Sequence, residues 1–87
     1  MGSVRFGGVT FRLYAGDHEG APIPHVHAKF DRGEVVIELL NNGTVRLSNA
    51  HRAAVVGDVK QSDVRKALEA AEAAYDLLLT EWKAMHP

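Results

Sequence analysis

The hydrophobic period changes once along this chain, from two residues in the first half to three or four residues near the end. Between residues 9 and 14 the apolar Val9, Phe11 and Leu13 alternate with other residues, which is typical of a strand with one buried face. From Ser62 onward apolar residues recur at helical spacing. They are Val64, Ala67, Leu68, Ala71, Tyr75, Leu78, Trp82 and Met85. A strand-rich half followed by a helical end predicts an α+β fold.

Turn residues divide the period-two half into short strands. Asp31-Arg32-Gly33 and Asn41-Asn42-Gly43 are typical of β-turns and separate strands expected at 26–30, 34–40 and 44–47. Gly7-Gly8 is expected to mark a bend or a bulge between residues 4–6 and the next strand. Residues 48–61 have two interpretations, a strand at 53–56 or a short helix between Asn49 and Gly57. We favour the strand.

One amphipathic helix is expected from about Asp63 to His86, with Ser62 as its N-cap. The predicted architecture is therefore an antiparallel meander sheet of four to five strands, packed on one face by a long C-terminal helix. A chain of 87 residues is expected to form one domain, residues 1–87.

Composition excludes some functions and favours a compartment. The chain has no cysteine, so disulfides and thiolate metal sites are excluded, which suits a reducing cytoplasm. Its 10 Lys and Arg against 11 Asp and Glu give a net charge of -1, so charge alone does not indicate nucleic-acid binding. The apolar runs are too short to span a bilayer. We expect a cytoplasmic protein with no membrane partner.

The motif Pro24-His25-Val26-His27, with His18 on the loop before it, gathers three of the five histidines. Side chains alternate along a strand, so His25 and His27 point to the same face and can share a metal, a phosphate or a proton.

A two-residue turn at Arg32-Gly33 would place Phe30 opposite Val35 and bring His27, Glu38 and Arg46 into one row across three strands. We take His25, His27, Glu38 and Arg46 as candidate catalytic residues. Candidate metal ligands are His18, His25 and His27. The sequence names no cofactor.

The sequence around this motif resembles a family of small bacterial proteins known as a domain of unknown function, family 4160. Its members have a strand, the motif Pro-Pro-His-Phe-His-Val, a hairpin and a C-terminal helix that ends near a Glu/Asn-Trp pair. Here Pro22-Ile23-Pro24-His25-Val26-His27-Ala28 corresponds to the motif and Glu81-Trp82 to the ending. Ile23 splits the prolines, Val26 replaces the aromatic, and residues 48–54 look inserted. The resemblance implies the fold and a role beside small partner proteins, as in toxin-antitoxin pairs.

Three functional classes follow, in order of preference. The first is a protein-interaction module, either a homodimer or one half of a complex with a small partner, because open sheet edges and faces must be covered. The second is a histidine-dependent hydrolase or ribonuclease-like enzyme, in which Arg46, Arg12 or Lys29 holds a phosphate. The third is a metal-binding module that uses the histidine cluster. The sequence leaves open whether the chain is an enzyme.

Overall fold

The computed structural model describes residues 2–14, 23–48 and 54–85. Within these ranges the chain forms strands first and helices last. The elements are β1 (Gly2–Phe6), β2 (Val9–Leu13), β3 (His25–Phe30), β4 (Gly33–Leu39), β5 (Val45–Leu47), β6 (Val55–Gly57), α1 (Gln61–Ala73) and α2 (Tyr75–Met85).

All of these strands belong to one antiparallel sheet. The spatial order is β1-β2-β3-β4-β5, and β6 also pairs with β4. Consecutive strands are neighbours, as a meander requires, and both helices follow the sheet. The predicted α+β meander is therefore confirmed, with one small strand more than expected.

The last two strands share one edge of β4. Ile37 lies opposite Leu47 of β5, whereas Val35 lies opposite Val55 of β6. Between these two pairs β4 advances by two residues, whereas the chain along its edge advances by eight, from Leu47 to Val55. Six residues are therefore inserted in the edge. Val36 joins the pieces, since its N–H donates to the Ala54 carbonyl at 2.7 Å and its carbonyl accepts from Ser48 N–H at 3.0 Å. The predicted strand is confirmed at 55–57, and residues 49–53 lie outside the described residues.

The Gly7-Gly8 pair makes a hairpin turn rather than a bend. Both glycines have positive φ, +59° and +79°, which residues with a side chain rarely adopt and which two-residue hairpins need. Phe6 consequently lies opposite Val9, and every residue of β1 pairs with β2. β1 is a full edge strand of the sheet.

The β3–β4 hairpin differs from the predicted register by two residues. Phe30 lies opposite Gly33 instead of Val35, so the turn is Asp31-Arg32. Gly33 is needed elsewhere, because a Cβ there would overlap the Val56 carbonyl oxygen and lie 2.7 Å from Cγ2 of Val59. This glycine permits close packing of β6 and does not form the turn. The β4–β5 register, with Glu38 opposite Arg46, is as predicted.

The C-terminal helical segment is interrupted once. Ala74, with φ -98° and ψ 16°, separates α1 from α2, although its N–H still bonds the Ala70 carbonyl at 2.9 Å. The helix begins earlier than predicted, since Lys60 is the N-cap residue and has no side-chain capping bond. Ser62 therefore lies inside the first turn and is not the cap.

The core lies between the helices and one face of the sheet. Alternate residues of β2, β3 and β4 supply the sheet side, and α1 contributes small alanines that allow a close approach. The fully buried residues of the core are Val9, Phe11, Leu13, Val26, Ala28, Val35, Ile37, Leu39, Ala67, Ala71 and Leu78. Tyr75, Trp82 and Leu68 pack against this cluster while partly exposed, as the sequence predicted. Burial of this apolar area is the main stabilising term of the fold.

Candidate functional site

The sheet face opposite the helices carries a polar cluster, which we call the histidine face. Its members are His25, His27, Lys29, Glu34, Glu38, Arg46 and Ser48. Four of them are nearly excluded from solvent, with exposures of 4% for His25, 8% for His27, 1% for Glu38 and 5% for Ser48. Buried ionisable groups are costly unless they are paired, so their partners decide what this face can do.

Glu38 is the centre of one half of the cluster. It lies opposite His25 on β3 and opposite Arg46 on β5. Arg46 Nε donates to Glu38 Oε1 at 2.8 Å, and the Ser48 hydroxyl donates to Oε2 at 3.1 Å. Both carboxylate oxygens are thus hydrogen-bonded, which compensates for their burial.

The predicted row of His27, Glu38 and Arg46 is wrong in its first member. His25 occupies that row, and His27 lies opposite Val36. The two-residue shift at the β3–β4 turn causes this exchange, because it moves every β3 residue to a new partner while keeping it on the same face.

His27 instead joins a second group of charges with Glu34 and Lys29. Its Nδ1 lies 2.8 Å from Glu34 Oε2, and Lys29 Nζ bonds the other carboxylate oxygen. Burial alone would raise the pKa of Glu34, but the hydrogen bonds from Lys29 and His27 outweigh it and lower that pKa. The hydrogen bond to Glu34 raises the pKa of Lys29, against the opposing effect of burial. Glu34 is therefore an ionised acceptor at neutral pH.

The partners of the two rings define their tautomers. His25 Nδ1 lies 3.2 Å from the Ile23 carbonyl oxygen, which only accepts hydrogen bonds. An ionised Glu34 likewise only accepts, so Nδ1 carries a proton in both rings and the neutral rings have their lone pair on Nε2. The ring centroids are 5.4 Å apart. Such oriented imidazoles are suited to proton transfer or to ligation through Nε2.

The proposed metal set is incomplete in what the structure describes. His18 lies outside the described residues. Among residues 2–14, 23–48 and 54–85, no three His, Asp or Glu side chains are placed to hold a metal ion together. His25 and His27 are close to one another, but Glu38 and Glu34 engage Arg46 and Lys29.

Sequence reasoning named Lys29 as a candidate phosphate-holding residue but missed Glu34 and Ser48 as members of this face. Lys29 lies opposite Glu34, and their opposite charges flank the short turn between β3 and β4 symmetrically. That symmetry is a usable signal for the correct register, because directly opposite charges stabilise a pair of strands. Ser48 had no such signal, since it precedes the inserted residues.

An open cavity borders the histidine face near His27. Its volume is about 470 Å³, and its lining includes Arg12, Tyr14 and Lys29. Tyr14 lines this cavity, and its ring meets the His27 ring edge-on with centroids 4.9 Å apart. The cationic Arg12 and Lys29 and the carboxylate of Asp31 all line this cavity, so an anion held there would contact the two cations.

A second cavity is apolar and lies at the other end of the same motif. It measures about 480 Å³ and is lined by Ile23, Pro24, Leu39, Leu40, Asn41, Tyr75, Leu79 and Lys83. We call it the apolar groove. Ile23 lines this groove and is 40% exposed. Apolar side chains that are grouped together and exposed to solvent often form a binding surface.

The histidine motif fixes the walls of the apolar groove. His25 binds the Ile23 carbonyl, and the Pro24 carbonyl accepts the Leu39 N–H at 2.8 Å. On the other side the Tyr75 hydroxyl donates to the Leu40 carbonyl and ties α2 to the end of β4. The groove is therefore largely preformed.

The fold and these sites define a class of small α+β proteins in which helices cover one face of an antiparallel meander and a Pro-His-x-His strand forms the other face. A protein-family model, the domain of unknown function DUF4160, matches residues 8–83. The chain belongs to this family, as the resemblance of the motif predicted. No curated protein and no solved structure matches the chain significantly. None of the described helices is long and apolar enough to cross a membrane.

Proposed function

We propose that this protein is an interaction module that binds a segment of a small partner protein in the apolar groove. The observation that carries the proposal is the composition of the groove, in which six of the eight lining residues are apolar or aromatic. Binding sites for apolar groups are typically preformed concave surfaces with few polar groups.

The rim of the groove favours one kind of partner segment. Lys83 and Asn41 are the polar lining residues, and Lys83 on α2 contributes a cation beside otherwise apolar walls. A partner segment with an apolar anchor and a neighbouring carboxylate complements this arrangement, since rim charges add specificity and association rate. A role beside a small partner, as in toxin-antitoxin pairs, is consistent with this geometry.

The test uses a pair of matched exposed apolar residues. Ile23 in the groove is 40% exposed and Leu77 on α2, outside the groove lining, is 47% exposed. A photo-reactive amino acid is introduced at position 23 or 77 in cells, and proteins that cross-link only from position 23 are identified and purified. Binding to the purified partner is then measured by calorimetry with wild type, Ile23→Asp and Leu77→Asp.

Ile23→Asp is expected to weaken binding of that partner at least tenfold, because it places a charge in an apolar site. Leu77→Asp is expected to leave the affinity within about twofold. Equal losses in both variants, or no cross-link specific to position 23, would contradict the proposal.

A second candidate function is hydrolysis of a phosphodiester at the histidine face. It is favoured by the 2.8 Å contact of His27 Nδ1 with an ionised Glu34, which orients Nε2 as a general base. In this reaction His27 takes a proton from the attacking water, a bond forms from the water oxygen to phosphorus, and the bond to the leaving oxygen breaks. Protonated His25 returns a proton to that oxygen, while Arg12 or Lys29 holds the phosphate.

Hydrolysis of bis-p-nitrophenyl phosphate and of short RNA tests this alternative. His27→Gln and Glu34→Gln should each abolish turnover while leaving the thermal unfolding temperature almost unchanged. Thr44→Ala, at an exposed position between β4 and β5, serves as the control and should retain full activity. Absence of turnover in the wild-type protein would contradict the hydrolysis hypothesis and would not affect the interaction-module proposal.

A further inference from the structure

The edge formed by β1 is the longest uninterrupted strand edge of this sheet in the described residues. β1 spans five residues, and among the described strands only β2 pairs with it. The opposite edge consists of β5 and β6, of three residues each, separated by the inserted residues. Short interrupted edges resist pairing, whereas continuous ones invite it.

The hairpin turn determines which backbone groups of β1 point outward. In a two-residue hairpin the residues that flank the turn, Phe6 and Val9, exchange hydrogen bonds. Bonding then alternates along the strand, so Gly2, Val4 and Phe6 face β2. The N–H and C=O groups of Ser3 and Arg5 point away from the sheet.

We propose that β1 pairs antiparallel with β1 of a second copy of this chain, about a two-fold axis that passes at Val4. Ser3 of each copy then lies opposite Arg5 of the other and exchanges hydrogen bonds through the outward groups at both positions. The two sheets become one continuous sheet, with the helices of both copies on the same side. Self-complementary pairing of this kind is the usual basis of two-fold dimers.

Charge supports this register over its neighbours. Arg5 is the charged residue of β1 and Ser3 is neutral. With the axis at Val4 each guanidinium lies opposite a serine, whereas an axis at Arg5 would set two guanidinium groups directly opposite each other, which is unfavourable. An axis at Ser3 would pair fewer residues.

The apolar side of the strand fits the same register. Phe6 is 38% exposed and would lie opposite Gly2 of the second copy. A Cβ at Gly2 would lie 3.2 Å from Sδ of Met85, so the space above Gly2 borders a methionine side chain. The phenyl ring of the second copy can cover Gly2 and contact that sulfur, a favourable aromatic contact. The two-fold axis generates two copies of this contact in the dimer.

This dimer uses a surface separate from the apolar groove. The groove is formed by residues of β3, β4 and α2 and their flanks, and no β1 residue lines it. The dimer therefore goes beyond the proposed function. A dimer that binds no partner would contradict only the proposed function, and a monomer that binds a partner would contradict only the dimer.

Cysteine pairs test the register directly, because the natural chain has no cysteine. Residues in a hydrogen-bonded antiparallel pair have Cα atoms about 5.5 Å apart, which lies within the ~4.4–6.8 Å that disulfides need. The double variant with Ser3→Cys and Arg5→Cys should form a covalent dimer under mild oxidation. Ser3→Cys alone and Arg5→Cys alone should not, since identical positions are not opposite in this register.

Charge variants test the dimer without cross-links. Ser3→Arg sets two arginines opposite each other in both pairs and should raise the dimer dissociation constant at least tenfold in sedimentation equilibrium. Ser3→Glu should lower it, and adding Arg5→Glu to Ser3→Arg should restore dimerisation. Circular dichroism verifies that each variant is folded. A wild-type monomer at 100 μM, a dimer indifferent to these changes, or efficient cross-linking by a single cysteine variant would overturn the proposal.

Discussion

The two faces of the β3–β4 hairpin respond differently to the same error in register. On the face toward the helices, Val26, Ala28, Val35 and Ile37 stay buried whether β3 pairs in the predicted register or two residues away. On the histidine face the same shift replaces the partner of each charged group. Apolar burial is non-directional, whereas hydrogen bonds and ion pairs are specific to particular atoms. A sequence pattern therefore determines the first face more securely than the second.

The largest effect is expected from Ile37→Ala on the helix side. Ile37 has 0% exposure in the core, and truncation there should reduce the free energy of unfolding by about 2–5 kcal/mol. Urea unfolding measures this, and Ile37→Val, expected to cost about 0.5–1.5 kcal/mol, is the control. A loss below 1 kcal/mol for Ile37→Ala would mean that the helices do not cover this face.

Gly33→Ala tests the register itself. Its methyl group would meet the Val56 carbonyl and lie 2.7 Å from Val59, so we expect a loss of about 1–3 kcal/mol from overpacking. Hydrogen exchange should show loss of protection at β6 and retained protection at β5. If Gly33 instead formed the turn and made no contact with β6, exchange at β6 would not change.

Arg46→Met tests the pairing on the histidine face. The Glu38 side chain is 2% exposed and that of Arg46 is 48% exposed, so removing Arg46 leaves a buried carboxylate with fewer donors. The expected cost is near the low end of about 1–3 kcal/mol, because water reaches the Arg46 side. The double variant with Glu38→Met should recover most of it. Strict additivity in this double-mutant cycle would contradict the pairing.

The smallest effect concerns the pH dependence contributed by Glu34 and Lys29. The pKa of Glu34 is lowered below its ordinary value of 4.5, so its contribution is complete above that pH and is lost as the pH falls through the folded-state value. The raised pKa of Lys29 gives a contribution that is complete below pH 10.5 and lost as the pH rises through its folded-state value. Both side chains are partly exposed, so the pair should contribute only about 0–1 kcal/mol.

Glu34→Gln separates this contribution from other acid effects. The variant should lose stability less steeply than wild type in urea unfolding below pH 4.5. In NMR spectra the His27 ring signals should shift strongly in Glu34→Gln and weakly in Glu38→Gln. The reverse order would support the register in which His27 lies opposite Glu38.

Most of the fold followed from the hydrophobic period of the sequence. Val9, Phe11, Leu13 and Leu78 lie in the core as predicted, because their spacing requires one buried face in any register. The β4–β5 turn was also predictable, since Gly43 has the positive φ of +88° that its loop needs.

The errors arose where one residue type serves two physical roles. Gly33 was interpreted as a turn residue, yet it is there for the close approach of β6, a strand more than twenty residues away in the chain. The break at Ala74 leaves no mark in the sequence, because alanine favours helices and the stripe of apolar residues continues past it. Within the candidate site, the sheet register brings His25, Glu38 and Arg46 into one row. His27 binds Glu34 rather than Glu38.

The inserted residues between β5 and β6 have a consequence for how chains of this fold can change length. Ser48 and Ala54 meet the same residue, Val36, from either side of the insertion. A deletion of residues 49–54 would bring Val55 directly after Ser48 and opposite Val35, so the edge along β4 would become one unbroken strand. A chain of this fold can therefore change length here, or accept a grafted peptide, while the pairing of its edge with β4 is kept.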